Sequence, residues 1–302
     1  MTVSLSLSPR MEAKSRTDPS FCESNGRGWR RRTVSGMRTT ERASGSAKRG
    51  EARASAAPFS APAARRTLIE EVVLVLSLSL LASAAYSILS YTAAPVNVHI
   101  TATVISTSPR LASQLIDVAF ALPPAWLVVY LVRRNGESLR SIGLGLDEPG
   151  RDLVRGAVLA AVVGAVGIGV YVVAVRLGPN RFVVPVPPLG EWWTIPVLVL
   201  NAAQNALVEE IIGIGFLLTR LRQIGIGAAA SVGATALLRG TYHLYQGWGG
   251  FAGNLALGLF FGWLFTRWRR AWPLVIAHTL VDVGAGVLYI AFRSKLPGLL
   301  GA

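Results

Sequence analysis

The sequence predicts an all-α fold, a polytopic bundle of about seven transmembrane helices with a polar site inside it. Three observations lead to this prediction. Of the 302 residues, 52% are hydrophobic and only 15% are charged, whereas soluble domains carry about 25% charged residues. The apolar residues form runs of about 20, the length that a helix needs to cross a bilayer core. A few ionisable side chains stand within these runs, where lipid exposure is costly, and this favours a functional interior.

Residues 1–66 are predicted to be a disordered basic tail. They hold 14 Lys or Arg against 5 Asp or Glu, a net charge of +9, so the remaining chain carries +5 of the total of +14. Cys22, the single cysteine, lies in this tail, which excludes an intramolecular disulfide and a thiolate-rich metal site. A nucleic-acid binder needs basic residues clustered on a folded polar surface. Because these lie in the tail and at the ends of apolar runs, nucleic acid is excluded as a partner.

Seven apolar runs after the tail predict membrane spans. Their approximate bounds are 72–91, 111–132, 153–177, 192–218, 225–244, 251–265 and 272–292. Residues 136–155 mix apolar and charged residues around a Pro-Gly break, which predicts an amphipathic segment on the cytoplasmic surface. The predicted organisation is therefore N-terminal transmembrane helices with this segment over 67–190, a helical core over 191–293 and a C-terminal tail over 294–302.

Arginines collect before the first predicted span and after every second one. The four groups are Arg65 and Arg66; Arg133, Arg134, Arg140, Arg151 and Arg155; Arg220 and Arg222; and Arg267, Arg269 and Arg270. With seven spans, these groups all fall on one side, which the positive-inside rule assigns to the cytoplasm. We therefore expect a multi-pass protein of the cell membrane, with the lipid bilayer as its partner, a cytoplasmic N-terminus and an outside C-terminus.

Ionisable residues inside the predicted spans are the candidate functional residues. They are Asp117, Glu209, Glu210, Arg239, His243, His278 and Asp282. Each costs roughly 2.5 to 3.5 kcal/mol on insertion scales, so we expect them to face the bundle interior, including Asp117, for which the sequence offers no partner. His99, in a predicted outside loop, is interpreted as a solvated loop residue.

The spacing of these residues places them on helix faces. Asn201, Asn205 and Glu209 recur at every fourth position, which directs Glu209 towards the bundle interior. His278 and Asp282 are also four apart and share one face of the last helix. Arg239 and His243 repeat that spacing on the fifth predicted span.

This combination of residues is suited to hydrolysis. A buried glutamate can act as a general base towards a water that a histidine shares, and a second histidine beside an aspartate can stabilise an oxyanion. Alternatively, Glu209, His243 and His278 could hold a divalent metal such as zinc with an open fourth position. These two mechanisms are not separated by the sequence. The chain has no His-Glu-x-x-His, Gly-x-Ser-x-Gly or intramembrane Gly-x-Gly-Asp motif, which disfavours the corresponding protease classes.

Three motifs carry a family resemblance. They are NALVEEIIGIGFLLTRLR at 205–222, RGTYH at 239–243 and HTLVD at 278–282. In order and spacing they resemble the CPBP family of intramembrane endopeptidases (CAAX protease and bacteriocin-processing, also called Abi), over about residues 192–292. The resemblance implies that Glu209 is the general base, that His243 shares its water, and that His278 and Asp282 form the oxyanion side. It implies a membrane-anchored or membrane-proximal peptide as substrate, with Glu210, Arg239 and Asn205 in support.

Two positions depart from the family pattern. Ile214 stands where the family has an arginine after the glutamates, and Arg239 stands where it has a phenylalanine before the first histidine. Our hypothesis is that Arg239 pairs with Glu210 and compensates its buried charge. The alternative function is a non-hydrolytic membrane protein, either a proton-coupled transporter with a Glu/His relay or a catalytically silent scaffold.

Overall fold

The structure is a computed structural model. It describes residues 62–93, 100–101, 110–176, 183–184 and 187–294. The predicted tail before Pro62, His99 and the residues after 294 lie outside the described ranges. The first helix begins at Pro62, within the segment predicted as tail.

Helices make up nearly all of the described residues. The α-helices are α1 (Pro62–Ser77), α2 (Leu80–Ala93), α3 (Leu111–Ala121), α4 (Pro123–Arg134), α5 (Pro149–Arg176), α6 (Thr194–Glu209), α7 (Leu218–Gln223), α8 (Ala228–Tyr242), α9 (Trp248–Trp268) and α10 (Trp272–Phe292). A π-helix, Glu210–Leu217, joins α6 to α7, and short 3-10 helices cover Leu139–Ile142 and Leu244–Gln246. The strands β1 (Ile100–Thr101) and β2 (Val183–Val184) pair in parallel, with Ile100 opposite Val183. Apart from this two-residue pairing, the described fold is all-α, as predicted.

Five helical stretches within the described residues are long and apolar enough to cross a membrane. They are Leu111–Arg134, Pro149–Val170, Thr194–Gln223, Trp248–Trp268 and Trp272–Phe292, and a sixth is possible if Ala64–Ser77 and Leu80–Thr92, bent by 46°, form one broken span. The multi-pass membrane character is therefore supported, but seven spans are not confirmed. With 15 residues, α8 is about 22 Å long, which is short of the roughly 30 Å core. The orientation of the termini remains a prediction.

Several of the predicted arginine groups meet at one end of the bundle. Arg220, fully buried in α7, pairs with Glu71 of α1 and with Glu137 after α4. The Asn135 side chain donates a hydrogen bond to Glu71 at 2.8 Å. The central part of α1, the connection after α4 and helix α7 therefore lie next to one another. Glu71 and Glu137 were not among the candidates because both lie near the ends of apolar runs.

The hydrophobic core lies between the helices that carry the polar motifs. Its largest fully buried apolar side chains are Phe216, Phe261, Phe265, Ile142, Ile212, Leu218 and Leu274. Helix α8 packs against α9 and α2, and α10 packs against α5 and α6. This packing brings the end of α6, the end of α8 and the first half of α10 towards one another inside the bundle.

The segment 136–155, predicted to lie on the membrane surface, is partly anchored in the core. Ile142 is fully buried and Leu144 is 6% exposed. The Ala271 amide donates to the Gly143 carbonyl at 2.9 Å, which fastens the segment to the connection between α9 and α10. Gly143 adopts a φ of 81°, and a Cβ there would meet the Ala271 nitrogen at 2.6 Å. This position therefore requires glycine.

Gly215 lets the π-helix approach the same segment. A Cβ at Gly215 would lie 2.8 Å from the Ile142 carbonyl oxygen, a backbone atom that cannot rotate away, whereas a Cβ at Gly213 would meet only the Leu80 side chain at 3.6 Å. We expect Gly215→Ala to destabilise the protein by about 1 to 3 kcal/mol through overpacking. Thermal unfolding in detergent measures this, with Gly213→Ala as the matched control. Equal stability of the two variants would contradict the close approach.

Asp117 does not face the bundle interior, so that expectation is wrong. Its side chain is exposed on α3, whereas Gln114, about one turn earlier, is fully buried. The polar side chain that α3 directs inward is therefore an amide, and Asp117 takes no part in the site described below.

Candidate active site

The adjacent glutamates lie at a change of helix geometry. Glu209 is the last residue of α6, and Glu210 opens the π-helix. A π-helical turn is wider than an α-helical turn, and such turns occur frequently at functional sites. Glu209 is 6% exposed and Glu210 is fully buried. The two adjacent carboxylates therefore differ in their access to solvent, and, as described next, they also have different partners.

Glu210 is held by two cationic or hydrogen-bonding groups. Arg239 Nη1 donates to Glu210 Oε1 at 2.7 Å, and His278 Nδ1 lies 2.9 Å from the same oxygen. The pairing of Arg239 with Glu210 that the sequence suggested is present. The other oxygen, Oε2, is buried and has no hydrogen-bond partner within the described part of the chain. Glu210 is thus a fixed anion that links α8 to α10.

Glu209 has fewer close contacts than Glu210. Tyr242 Oη donates to Glu209 Oε2 at 2.8 Å, and Arg239 Nη2 lies 3.6 Å from that oxygen. Neither contact engages Oε1, which can therefore face a water or a substrate. Sequence reasoning missed Tyr242. The available signal was its place in the RGTYH motif, directly before His243, at the end of α8.

His243 follows the last residue of α8 and is 9% exposed. Its Nδ1 lies 3.0 Å from the Arg239 carbonyl oxygen. Because a carbonyl can only accept, Nδ1 carries a proton, and in the neutral ring Nε2 is then an acceptor. The ring packs against Tyr242 with a centroid distance of 4.7 Å. In the structure Glu209 is bonded to Tyr242 rather than directly to His243.

His278 and Asp282 share one face of α10, as their spacing predicted. His278 Nε2 lies 3.4 Å from Asp282 Oδ2, while its Nδ1 faces Glu210. The Asn205 side chain lies beside Asp282. The Asp282 side chain is 35% exposed, so this is the more open end of the cluster.

The structure brings the predicted site residues into one network. Glu209, Glu210, Arg239, His278 and Asp282 are connected by direct side-chain contacts. His243 joins through the Arg239 backbone, and Asn205 lies beside Asp282. Ile214, in place of the family arginine, is 3% exposed and packs in the hydrophobic core. The buried cation beside the glutamates is therefore supplied by α8.

The residues named as possible zinc ligands are not arranged to bind a metal ion. Both ring nitrogens of His278 face carboxylates, and Nδ1 of His243 faces a backbone carbonyl. Across the described ranges, no group of three or more His, Cys, Asp or Glu side chains is placed to hold a metal. A tetrahedral site with three protein ligands therefore does not fit this arrangement.

The part of the chain that contains this network matches a known protein family. Residues 191–284 match the family model described as type II CAAX prenyl endopeptidase Rce1-like. No curated protein and no solved structure matches the chain. The match begins just before α6 and ends within α10, so it contains every residue of the network. The resemblance that the motifs indicated is thereby confirmed, since residues 191–284 of this chain are similar to that family.

Proposed function

We propose that this protein is an intramembrane endopeptidase in which Glu209 activates a water to hydrolyse a peptide bond. The family match supports a peptidase of the CAAX protease type. The observation that carries the finer assignment is the difference between the two glutamates. Glu210 is fully buried against Arg239 and His278, whereas Glu209 has one oxygen bonded to Tyr242 and the other outside these contacts.

The attacking water lies between Glu209 Oε1 and His243 Nε2 in this mechanism. Glu209 accepts one water proton while His243 accepts a hydrogen bond from the other, which orients the oxygen lone pair. The water oxygen then forms a bond to the carbonyl carbon of the scissile peptide. Glu209 subsequently delivers its proton to the amide nitrogen as the carbon–nitrogen bond breaks, so the base is regenerated.

His278 stabilises the oxyanion that develops on the scissile carbonyl. Glu210 holds its Nδ1 at 2.9 Å, whereas the contact of its Nε2 with Asp282 is longer, at 3.4 Å, and lies at the more open end of the cluster. Nε2 is therefore the nitrogen that redirects its hydrogen bond from Asp282 to the oxyanion, while the ring itself stays in place. Asn205, which lies beside Asp282, acts as a positioning residue and does not touch the substrate. Removal of an oxyanion donor typically lowers kcat by about 10² to 10³.

The substrate is a peptide segment anchored in or lying next to the membrane. The site is enclosed among helices that are long and apolar enough to cross a bilayer, so a soluble folded protein cannot reach it as a whole. Prenylated CAAX tails are one possible substrate class, named in the family description.

Tyr242 positions the general base, and Tyr242→Phe removes its hydroxyl while keeping the ring. We expect kcat to fall about 10- to 100-fold, because a hydrogen bond to a charged group contributes about 1.5 to 3 kcal/mol, with KM nearly unchanged. Steady-state kinetics on a cleaved reporter give both constants. Tyr245→Phe is the matched control, since Tyr245 packs beside His243 without contacting Glu209. Equal changes in kcat and KM for both variants would remove Tyr242 from this role.

The proposed function is tested by incubating the protein in liposomes with a library of membrane-anchored reporter peptides and identifying products by mass spectrometry. The proposal predicts cleavage that continues in the presence of a zinc chelator. Cleavage that stops on chelation and returns with added zinc would reassign the enzyme as a metallopeptidase. Proton-coupled uptake that depends on Glu209, without cleavage, would support the transporter alternative instead.

A further inference from the structure

A cluster of arginines lines a cavity that is separate from the glutamate site. The cavity measures about 470 Å³ and lies where the segment after α4, the first turns of α5 and the connection from α9 to α10 meet. Six arginines and two carboxylates contribute to its lining. The arginines are Arg140, Arg151, Arg155, Arg267, Arg269 and Arg270.

Half of these arginines are already neutralised by neighbouring carboxylates. Arg270, 9% exposed, is bonded to Asp152 at 2.5 Å and to Asp147 at 3.2 Å. Arg140 lies 3.6 Å from Asp147, and Arg151 lies 3.2 Å from Glu148. Arg270, held by its buried ion pair with Asp152, forms part of the cavity wall.

The other three arginines have no such partner. Within the described residues, no carboxylate lies within ion-pair distance of Arg155, Arg267 or Arg269. Each is instead stacked over an aromatic ring, at 5.2 Å over Trp268, 5.6 Å over Trp263 and 5.4 Å over Phe265 respectively. Stacking orients a guanidinium without cancelling its charge. The cavity therefore presents an uncompensated positive field from pre-oriented donors that match phosphate oxygens in geometry.

The position of the cavity selects the kind of anion. It lies at the ends of three stretches that are long enough to span a membrane, α5, α9 and α10. The adjacent turns of α5 expose the apolar side chains Leu153 and Val154, which are 58% and 64% exposed. Trp268, in the cavity lining, is of the residue type that concentrates at membrane interfaces. A phospholipid would contact the arginines through its phosphate and the exposed apolar residues of α5 through its acyl chains. A free inorganic anion would contact the arginines alone.

We propose that this cavity binds the phosphate headgroup of an anionic membrane phospholipid, with Arg155, Arg267 and Arg269 as its principal ligands. Basic pockets between transmembrane helices are an established way of recognising such headgroups. The acyl chains would lie against the exposed apolar face of α5. This site is independent of the proposed peptidase activity, and its test does not require a substrate.

The experiment titrates the full-length detergent-solubilised protein with phosphatidylglycerol or phosphatidylcholine and measures bound lipid by native mass spectrometry. We expect tight binding of one phosphatidylglycerol and weaker binding of phosphatidylcholine. The triple variant Arg155→Gln, Arg267→Gln, Arg269→Gln should lose about 100-fold in phosphatidylglycerol affinity, at about fivefold for each basic group. Millimolar inorganic phosphate should not displace the lipid.

The matched control is the triple variant Arg133→Gln, Arg134→Gln, Arg222→Gln. These arginines are exposed near the same end of the bundle but do not line the cavity, so this variant removes the same charge and should keep the lipid. Equal losses in both triples would show general surface electrostatics and overturn the proposal. Displacement by inorganic phosphate would reassign the site to a free anion, and absence of a phosphatidylglycerol preference in the wild type would overturn it outright. The single variant Arg269→Gln, at an exposed position, gives the same comparison if the triple does not fold.

Discussion

Glu209→Gln is expected to lower the rate of peptide cleavage by about 10² to 10⁴, the usual contribution of a general base. The amide keeps the shape of the side chain and can still accept the Tyr242 hydrogen bond through its oxygen, but it cannot take a proton from water. Single-turnover cleavage in liposomes measures the chemical step without product release. The loss should therefore appear in the rate constant for cleavage and leave substrate binding intact.

Asp117→Asn is the matched control for this experiment. It makes the same carboxylate-to-amide change on a helix of the same bundle, at an exposed position outside the site network. We expect wild-type cleavage from it. If Glu209→Gln retained a rate within threefold of wild type, Glu209 would not be the base.

Arg239→Ala is expected to be the most destabilising single change in the site. It would leave Glu210, which is fully buried, without its nearest cation, and removal of one partner from a buried ion pair costs about 3 to 5 kcal/mol. Because folding free energies are only about 5 to 15 kcal/mol, this change would remove a large fraction of the stability. The midpoint of chemical unfolding in detergent measures the loss.

A double variant separates charge compensation from simple loss of contacts. Arg239→Met with Glu210→Gln removes both charges and leaves an amide that can still bond His278, so it should recover most of the stability. Arg66→Ala breaks an ion pair whose side chains are 83% and 61% exposed and should change nothing measurable. A folded, fully active Arg239→Ala would contradict the pairing argument.

The sequence was sufficient to predict most members of this network because their residue types are rare in apolar helices. Charged and histidine residues at helical spacing identified Glu209, Arg239, His278 and Asp282, and the structure joins these in one network. The different surroundings of Glu209 and Glu210 were harder to predict. They depend on a π-helix that starts at Glu210 and on the reach of Arg239 from another helix, and neither follows from hydropathy or spacing.

The number of spans was predicted less well because hydropathy does not detect helix ends inside apolar runs. The first predicted span breaks after Ser77, where the Ser79 hydroxyl donates to the Val75 carbonyl at 2.6 Å, a local bond that competes with regular helix. Helix α8 lies between Gly225 and Gly247, both at a φ of 97°. Those glycines were visible in the sequence, but the requirement for positive φ was not.

The different roles of the two glutamates are tested most directly by comparing Glu209→Gln with Glu210→Gln in one preparation. Both the cleavage rate per folded molecule and the free energy of unfolding are measured. We predict that Glu209→Gln loses the rate and keeps stability within about 1 kcal/mol, because the Tyr242 hydrogen bond survives. We also predict that Glu210→Gln loses about 3 kcal/mol or more, because Arg239 loses its closest counter-ion, while the molecules that fold still cleave. The reverse pattern, an inactive but stable Glu210→Gln beside an active Glu209→Gln, would contradict the assignment of the two glutamates.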